Sequence, residues 1–321
     1  MTSAGIIGGA GYTGGELIRL LLIHPEVELT FVQSQSQADK AVTAVHTDLL
    51  GETDLNFSLT PDKRVEVLFL CQGHGKARHF LEENPVPSST KIIDLSQDYR
   101  IVNKDHTFIY GLPELQKSVI VGANRIANPG CFATAITLGL LPLAAEGLLQ
   151  NPAHIHAITG ATGAGQSLTA TSHFSWRDNN VSVYKPFQHQ HLAEIGQSLR
   201  QAQKAVIPEL NFIPVRGNFS RGIFASIYTE IDLGIEEAVA LYKNYYQNQP
   251  FTWISEQNPS LKEVVNTNKC LLYIEKHGTQ LLVISVIDNL LKGAVGQAVQ
   301  NMNLMFGWEE TTGLKLKAIG F

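Results

Sequence analysis

At 321 residues the chain has room for two domains of ordinary size, each with its own core. A hydrophobic share of 44% and a charged share of 17% are those of a globular protein, and no apolar run approaches the roughly 20 residues of a membrane-spanning helix, so no membrane role is expected. A formal charge of −5 without any block of Lys or Arg argues against a nucleic-acid footprint and points to a small-molecule partner.

The N-terminus begins directly on an apolar strand at 4–7, without the basic region and long apolar segment of a secretory signal, so a cytoplasmic location is expected. Strand-like runs at 5–7, 28–33, 65–71 and 91–95 alternate with helical stretches at 14–23 and 75–83, which predicts an α/β fold with a parallel sheet and crossover helices. A helix is expected over 133–149, with Gly147 near its end. Beyond it come an apolar run at 155–159, a helix over 191–205, strands over 222–231, 269–275 and 281–287, and a helix over 235–247. These read as an α+β domain with a sheet suited to self-association. The last helix, 294–306, is apolar along Ala294, Val295, Ala298, Met302 and Met305 and is expected to return to the first domain. The predicted division is 1–130 with 291–321, and 131–290.

The first strand runs into Gly8-Gly9-Ala10-Gly11-Tyr12-Thr13-Gly14, a glycine-rich turn that opens a helix. Glycines permit unusual backbone angles, and the free N–H groups and positive end of a helix favour a diphosphate. The spacing is G-x-x-G-x-x-G rather than G-x-G-x-x-G, and a tight turn with no ligand is the alternative; the flanking strand and helix favour a dinucleotide. The second strand ends near Gln33 without the carboxylate that commonly bonds a ribose 2′-hydroxyl. Ser34, Ser36 and Lys40 follow it, which favours NADP(H) over NAD, with Asp39 as the contrary sign.

The three cysteines, Cys71, Cys131 and Cys270, are too few and too scattered for a disulfide framework, and none pairs with another at metal-ligand spacing, so free thiols and no metal are expected. Cys71 and Cys270 fall in strands and read as small core residues. Cys131, in Asn128-Pro129-Gly130-Cys131-Phe132, immediately precedes the long helix, where the dipole and unpaired N–H groups raise the thiolate fraction and can hold an oxyanion, with the Asn128 amide as a further donor. His189, His191 and Glu194 open another predicted helix and supply candidate proton-transfer groups; residue spacing leaves open which histidine moves the proton.

Five blocks in order resemble the N-acetyl-γ-glutamyl-phosphate reductases of arginine biosynthesis, relatives of aspartate-semialdehyde dehydrogenase. They are Gly8-x-x-Gly11-Tyr12-x-Gly14-x-Glu16-Leu17, Asp94-Leu95-Ser96-Gln97-Asp98-Tyr99-Arg100, Tyr110-Gly111-Leu112-Pro113-Glu114, Asn128-Pro129-Gly130-Cys131-Phe132, and Asp288-Asn289-Leu290-Leu291-Lys292-Gly293-Ala294-Val295-Gly296-Gln297-Ala298. The resemblance implies a Rossmann-type NADP-binding domain, with Ser34 and Ser36 at the 2′-phosphate and Asn289, Lys292 and Gly293 also lining the cofactor site. It implies an α+β catalytic and dimerisation domain of the aspartate-semialdehyde dehydrogenase type, with a thioester on Cys131, a histidine of the 189–191 pair as acid/base, and a homodimer or homotetramer. The loop 159–165, which contains Gly163, matches the family's glycine-rich substrate and nicotinamide loop. An acyl phosphate is anionic, and Arg100 and Arg221 are candidates to hold it.

The chain departs from the family where specificity is set. Val215 stands where a histidine is usual, Arg216 is additional, and Gln166 and Gln190 replace arginines. An N-acyl group other than acetyl, such as succinyl with its extra carboxylate, would suit Arg216. The rival readings are a sister aspartate-semialdehyde dehydrogenase and a catalytically silent NADP-binding module.

Overall fold

The computed structural model describes residues 1–62, 64–73 and 75–321. Their contacts divide the chain into two units, Met1–Pro129 with Ala294–Lys315, and Gly130–Gly293 with Leu316–Phe321.

In the first unit, β1 (Thr2–Ile7), α1 (Tyr12–Leu22), β2 (Val27–Gln33), β3 (Phe57–Ser58), β4 (Val67–Leu70), α2 (Lys76–Glu83), β5 (Lys91–Asp94), β6 (Ile109–Tyr110), α3 (Pro113–Ile120) and β7 (Arg125–Ala127) follow in order. The described strands form one sheet in the order β3-β2-β1-β4-β5-β7-β6, parallel at every pairing. Buried on both faces, β4 reads Val-Leu-Phe-Leu without alternation, as a strand between helix layers must. The order reverses between β2-β1 and β4, the switch point at which open parallel sheets leave a crevice beyond the strand ends.

The second unit holds α4 (Cys131–Ala145), β8 (Ala153–Thr159), α5 (Phe174–Arg177), β9 (Ser182–Val183), α6 (His191–Gln203), β10 (Leu210–Arg216), β11 (Ile223–Glu230), α7 (Ile235–Tyr246), β12 (Thr252–Ile254), β13 (Cys270–His277) and β14 (Gln280–Ile287). Its strands form a mixed sheet, β12-β13-β14-β11-β8-β10-β9. A π-turn at Leu291–Val295 then leads into α8 (Gly296–Phe306), which belongs to the first unit and packs there on α1 and α3. The tail differs from the sequence-based division: 316–321 joins the second unit, where Gly320 N–H donates to the Lys262 carbonyl and Asn266 Nδ2 to the Lys317 carbonyl.

Helix α4 positions the thiol. Every residue from Phe132 to Ala144 is buried, so it is an apolar rod whose start is fixed by packing. Pro142 lies inside it and leaves the Leu138 carbonyl without its usual i+4 donor; the Tyr246 hydroxyl donates to that oxygen at 2.6 Å, and the Tyr242 hydroxyl to the next one, on Gly139, at 2.6 Å. The helix ends at Ala145, before the expected 149, because Gly147 takes φ +69° and closes the turn. One sheet face carries α4, α6 and α7. The other carries Phe224, Leu271, Tyr273 and Leu282, partly exposed around Ile284 and Val286, with Tyr228 45% exposed. No helix among the described residues is long and apolar enough to cross a membrane.

Candidate active site

In the first unit the glycine turn sits at the carboxyl end of β1. Gly8 has φ +81°, and a Cβ there would press within 3.1 Å of the Cys71 carbonyl, so only glycine fits without strain. At Gly14 a Cβ would lie 2.3 Å from the Gly9 oxygen, which lets α1 begin directly against the turn. Gly11 caps α1 without a side-chain hydrogen bond and has open space where a Cβ would be. Tyr12, Thr13 and Gly14 form the first turn, whose N–H groups have no partner inside the helix. An open, uncapped helix start over a glycine turn fits a dinucleotide diphosphate. Gln33, which residue types alone did not single out, holds the turn: its carbonyl accepts from Gly8 N–H at 3.0 Å and Gly9 N–H at 2.9 Å, and its Oε1 accepts from Gly8 N–H at 3.3 Å. Ser34 follows, buried, with its N–H on the Ser58 carbonyl; Ser36 is exposed beside it. Asp39 lies further along at φ +65°, away from the end of the strand, so the position commonly acidic in NAD-preferring folds is an amide here.

Two predicted substrate groups of this unit are engaged locally. Arg100 is buried and donates from Nη2 to the Leu95 carbonyl at 2.9 Å, near the Asp94 carboxyl. Asn128 is 1% exposed; its Nδ2 donates to the Ala294 carbonyl at 2.9 Å and its Oδ1 accepts from Asn301 Nδ2 at 3.2 Å. Its amide therefore braces the return into α8 rather than standing ready for an oxyanion.

In the second unit Cys131 is the first residue of α4, partly exposed, after the cap residue Gly130. The Gly130 N–H donates to Glu194 Oε2 at 2.9 Å, and Glu194 Oε1 stands 3.8 Å from His191 Nε2. One buried carboxylate thus ties the start of the cysteine helix to an imidazole. His189 lies beside it, ring centroids 4.6 Å apart, its Nδ1 accepting the His191 N–H at 3.2 Å. Burial lowers the His189 ring to about 4; the Lys185 and Arg216 cations add to this and Glu194 opposes it. His189 is therefore neutral at pH 7. The Phe132 ring, next to the thiol, meets both imidazoles edge-on. Cys71 differs: burial and the Asp94 carboxylate push its thiol far up, so it is held neutral.

Tyr184 completes the cluster and was not among the expected site residues. Its ring lies 5.7 Å from that of His189, placed there by the antiparallel pairing of β9 with β10, a contact that local sequence does not encode. Burial first and the Cys131 charge second raise its hydroxyl to about 12, with Arg216 opposing. The Arg216 guanidinium lies 4.6 Å from the Tyr184 ring centroid, and its backbone carbonyl is fixed by Arg177 Nη1 at 2.8 Å.

The turn after β14 presses on the thiol. Asp288, fully buried, accepts from Leu290 and Leu291 N–H through Oδ1 and from Asn266 N–H through Oδ2. Arg221, a predicted substrate cation, is paired with this carboxylate at 3.0 Å. Gly293 N–H closes on the Asp288 carbonyl, and a Cβ on Gly293 would stand 2.7 Å from Cys131 Cβ. Asn289 accepts from Gly222 N–H at 2.7 Å and donates to Thr162 Oγ1 at 3.1 Å, fastening the glycine-rich loop in which Gly163 sits; Lys292 is fully buried with Nζ 5.9 Å from the Phe251 ring centroid. Among the described residues no three His, Cys, Asp or Glu converge on a metal position.

The family profile described as the NAD binding domain of semialdehyde dehydrogenase matches residues 3–123, and that described as the semialdehyde dehydrogenase dimerisation domain matches 131–289. A solved aspartate semialdehyde dehydrogenase II from Vibrio cholerae has the same fold, with a TM-score of 0.74 at 15% identity over 95% of this chain and 98% of that one. One from Candida albicans, determined with NADP, gives 0.67 at 14% identity over 95% and 98%. N-acetyl-gamma-glutamyl-phosphate reductase of Christiangramia forsetii is 59% identical over 99% of both chains, and that of Parabacteroides distasonis 58% identical over the whole of both. With a cysteine at the mouth of a helix, a glycine turn on a parallel sheet and this degree of identity from end to end, the chain belongs to the N-acetyl-γ-glutamyl-phosphate reductases, NADP-dependent oxidoreductases of the semialdehyde dehydrogenase superfamily.

Proposed function

We propose that the chain reduces an N-acyl-γ-glutamyl phosphate to the N-acyl-glutamate semialdehyde in arginine biosynthesis, in the cytoplasm, through a thioester on Cys131. The observation that carries this reading is the Glu194 carboxylate, which accepts from Gly130 N–H at 2.9 Å and stands 3.8 Å from His191 Nε2. His191 takes the thiol proton, and Glu194 balances the imidazolium that results; His189, held neutral, orients it. The Cys131 sulfur attacks the carboxyl phosphate carbon, a C–S bond forms, and the C–O bond to phosphorus breaks with release of inorganic phosphate. N–H groups of the first turn of α4 stabilise the oxyanion. Gly8, Gly11, Tyr12, Thr13 and Gly14, with Ser34 and Ser36 toward the 2′-phosphate, would hold NADPH, which when bound would supply the hydride that takes the thioester to a thiohemiacetal. The C–S bond then breaks, a proton returns to sulfur, and the aldehyde leaves. The partly exposed apolar sheet face around Phe224, Tyr273 and Leu282 serves a homodimer or homotetramer.

NADP reduction driven by the semialdehyde and phosphate tests this. Cys131→Ser is expected to lose several orders of magnitude with its melting temperature unchanged; a mutant within tenfold of wild type refutes the thioester. A Cys131 that resists neutral-pH thiol labelling, with and without substrate, would favour the silent module instead.

A second reading concerns the acyl group. Arg216 Nε is buried with no hydrogen-bond partner, and its guanidinium lies over Tyr184, which itself senses Cys131. A cation so placed favours an acyl group with its own carboxylate, such as succinyl. Parallel kinetics on the acetyl and succinyl substrates decide it: equal or better turnover of the acetyl form, unchanged in Arg216→Ala, removes the idea.

A further inference from the structure

The geometry points to His46 as a positioning residue for the cofactor, one that sets the direction of a diphosphate donor from behind the glycine turn. This rests on the reading that the turn at 8–14 takes the NADPH diphosphate. His46 lies between two short 3-10 turns, Val42–Ala44 and Thr47–Leu49, and is held by its own N–H on the Val42 carbonyl at 2.9 Å. Its ring is 9% exposed and leans toward Phe57, centroids 6.1 Å apart. From there Nε2 lies 2.9 Å from the Gly9 carbonyl oxygen. A carbonyl only accepts, so the ring carries its proton on Nε2 and donates.

Two further observations show that the turn is built around this ring. A Cβ on Gly15 would lie 2.6 Å from His46 Cε1 and Nδ1, so the glycine at 15 is what admits the imidazole beneath α1. The other side of Gly9 is held as tightly: its N–H donates to the Gln33 carbonyl at 2.9 Å, and the site of a Gly14 Cβ is 2.3 Å from its oxygen. The consequence follows from peptide geometry. In a trans peptide the C=O of one residue and the N–H of the next point in opposite directions. Pinning the Gly9 carbonyl on His46 therefore turns the Ala10 N–H away from His46. Without that bond the Gly9–Ala10 peptide is free to rotate, because glycine offers little resistance.

The test compares His46→Phe, which keeps a ring and loses the donor, with His46→Gln, whose Nε2 restores one. The readouts are the NADPH Kd by fluorescence titration, the melting temperature without ligand, and steady-state kinetics. The Kd and the KM for NADPH are expected to rise about tenfold in His46→Phe, the loss of one buried hydrogen bond, and to return within about threefold of wild type in His46→Gln. The KM for the acyl phosphate and kcat at saturating NADPH should stay within about twofold, a split that general destabilisation would not produce. Gly14→Ala is the control for the underlying reading. If it binds NADPH at wild-type affinity, the turn does not hold the cofactor. If it loses NADPH while His46→Phe binds normally, the turn reading stands and the role of His46 is overturned. Should His46→Phe fold poorly, His46→Leu and His46→Gln are compared, since both lack the ring and only one donates; equal affinities then overturn the proposal.

Discussion

Replacing Glu194 with Gln isolates one charge at the proposed catalytic centre. The amide keeps the side chain's shape, and its oxygen still accepts from Gly130 N–H, so the start of α4 is preserved. What disappears is the negative charge 3.8 Å from His191 Nε2, between groups that are 2% and 7% exposed. At that separation and an effective dielectric of about 20, a unit pair is worth about 4 kcal/mol. Part is offset, because the same carboxylate opposes the developing thiolate and because burying the pair costs solvation. About 3 kcal/mol remains for a state in which His191 is protonated, which is about 10² in rate. The expected result is a fall of about 10² in kcat/KM in the NADP-reduction assay, together with slower alkylation of Cys131 at neutral pH. A Glu194→Gln protein that keeps its melting temperature and stays within threefold of wild type in both assays would show that the carboxylate only fastens the helix.

Gly293→Ala places a methyl 2.7 Å from Cys131 Cβ and 3.1 Å from its Cα, so the thiol must shift; a displacement near 1 Å costs about 10² in kcat/KM, and activity within threefold at unchanged circular dichroism contradicts this contact. The lowered ring of His189, about 4 against 6.5 when unfolded, means that protonation favours the unfolded chain. About 3 kcal/mol of stability is then lost as pH falls from 6.5 toward 4, and urea titrations should show His189→Asn flattening that slope. Asp94 has the opposite sign. Burial raises it to about 6 against the opposition of Ser96 and Arg100, so its contribution is present below pH 3.8 and lost as pH rises through 6. Asp94→Asn should therefore stabilise the protein at pH 8 and not at pH 4, and an equal effect at both would remove the buried-carboxyl explanation.

Much of this protein is local and so lies open in its sequence. Hydrophobic patterning marks β1, β2, β4 and β5 and the crossover helices to within a few residues: β4 is an unbroken apolar run, as a strand buried on both faces requires, while the first half of β2 alternates buried and exposed positions. Gly8, Gly11 and Gly14, and Cys131 before an apolar helix, are adjacent in sequence and in space, so turn chemistry and the helix dipole alone pointed to them. Helix formers continue past Ala145 and predict a helix to 149, but Gly147 at φ +69° ends α4 at Ala145.

Partners distant in sequence were settled by tertiary structure. Arg100, Arg221 and Asn128 have side chains suited to an anionic substrate, yet the fold engages them with the Leu95 carbonyl, the Asp288 carboxylate and the Ala294 carbonyl. Buried polar groups must find partners, and which partner is close is a property of packing rather than of residue type. The same reason separates the two histidines. Spacing made His189 and His191 equivalent, whereas in the fold burial lowers one and the Glu194 carboxylate stands beside the other. Tyr184 and His46 reach their places through strand pairing and a short 3-10 segment, contacts that no local pattern records, since electrostatics and hydrogen bonds act across space and a sequence orders residues only along the chain.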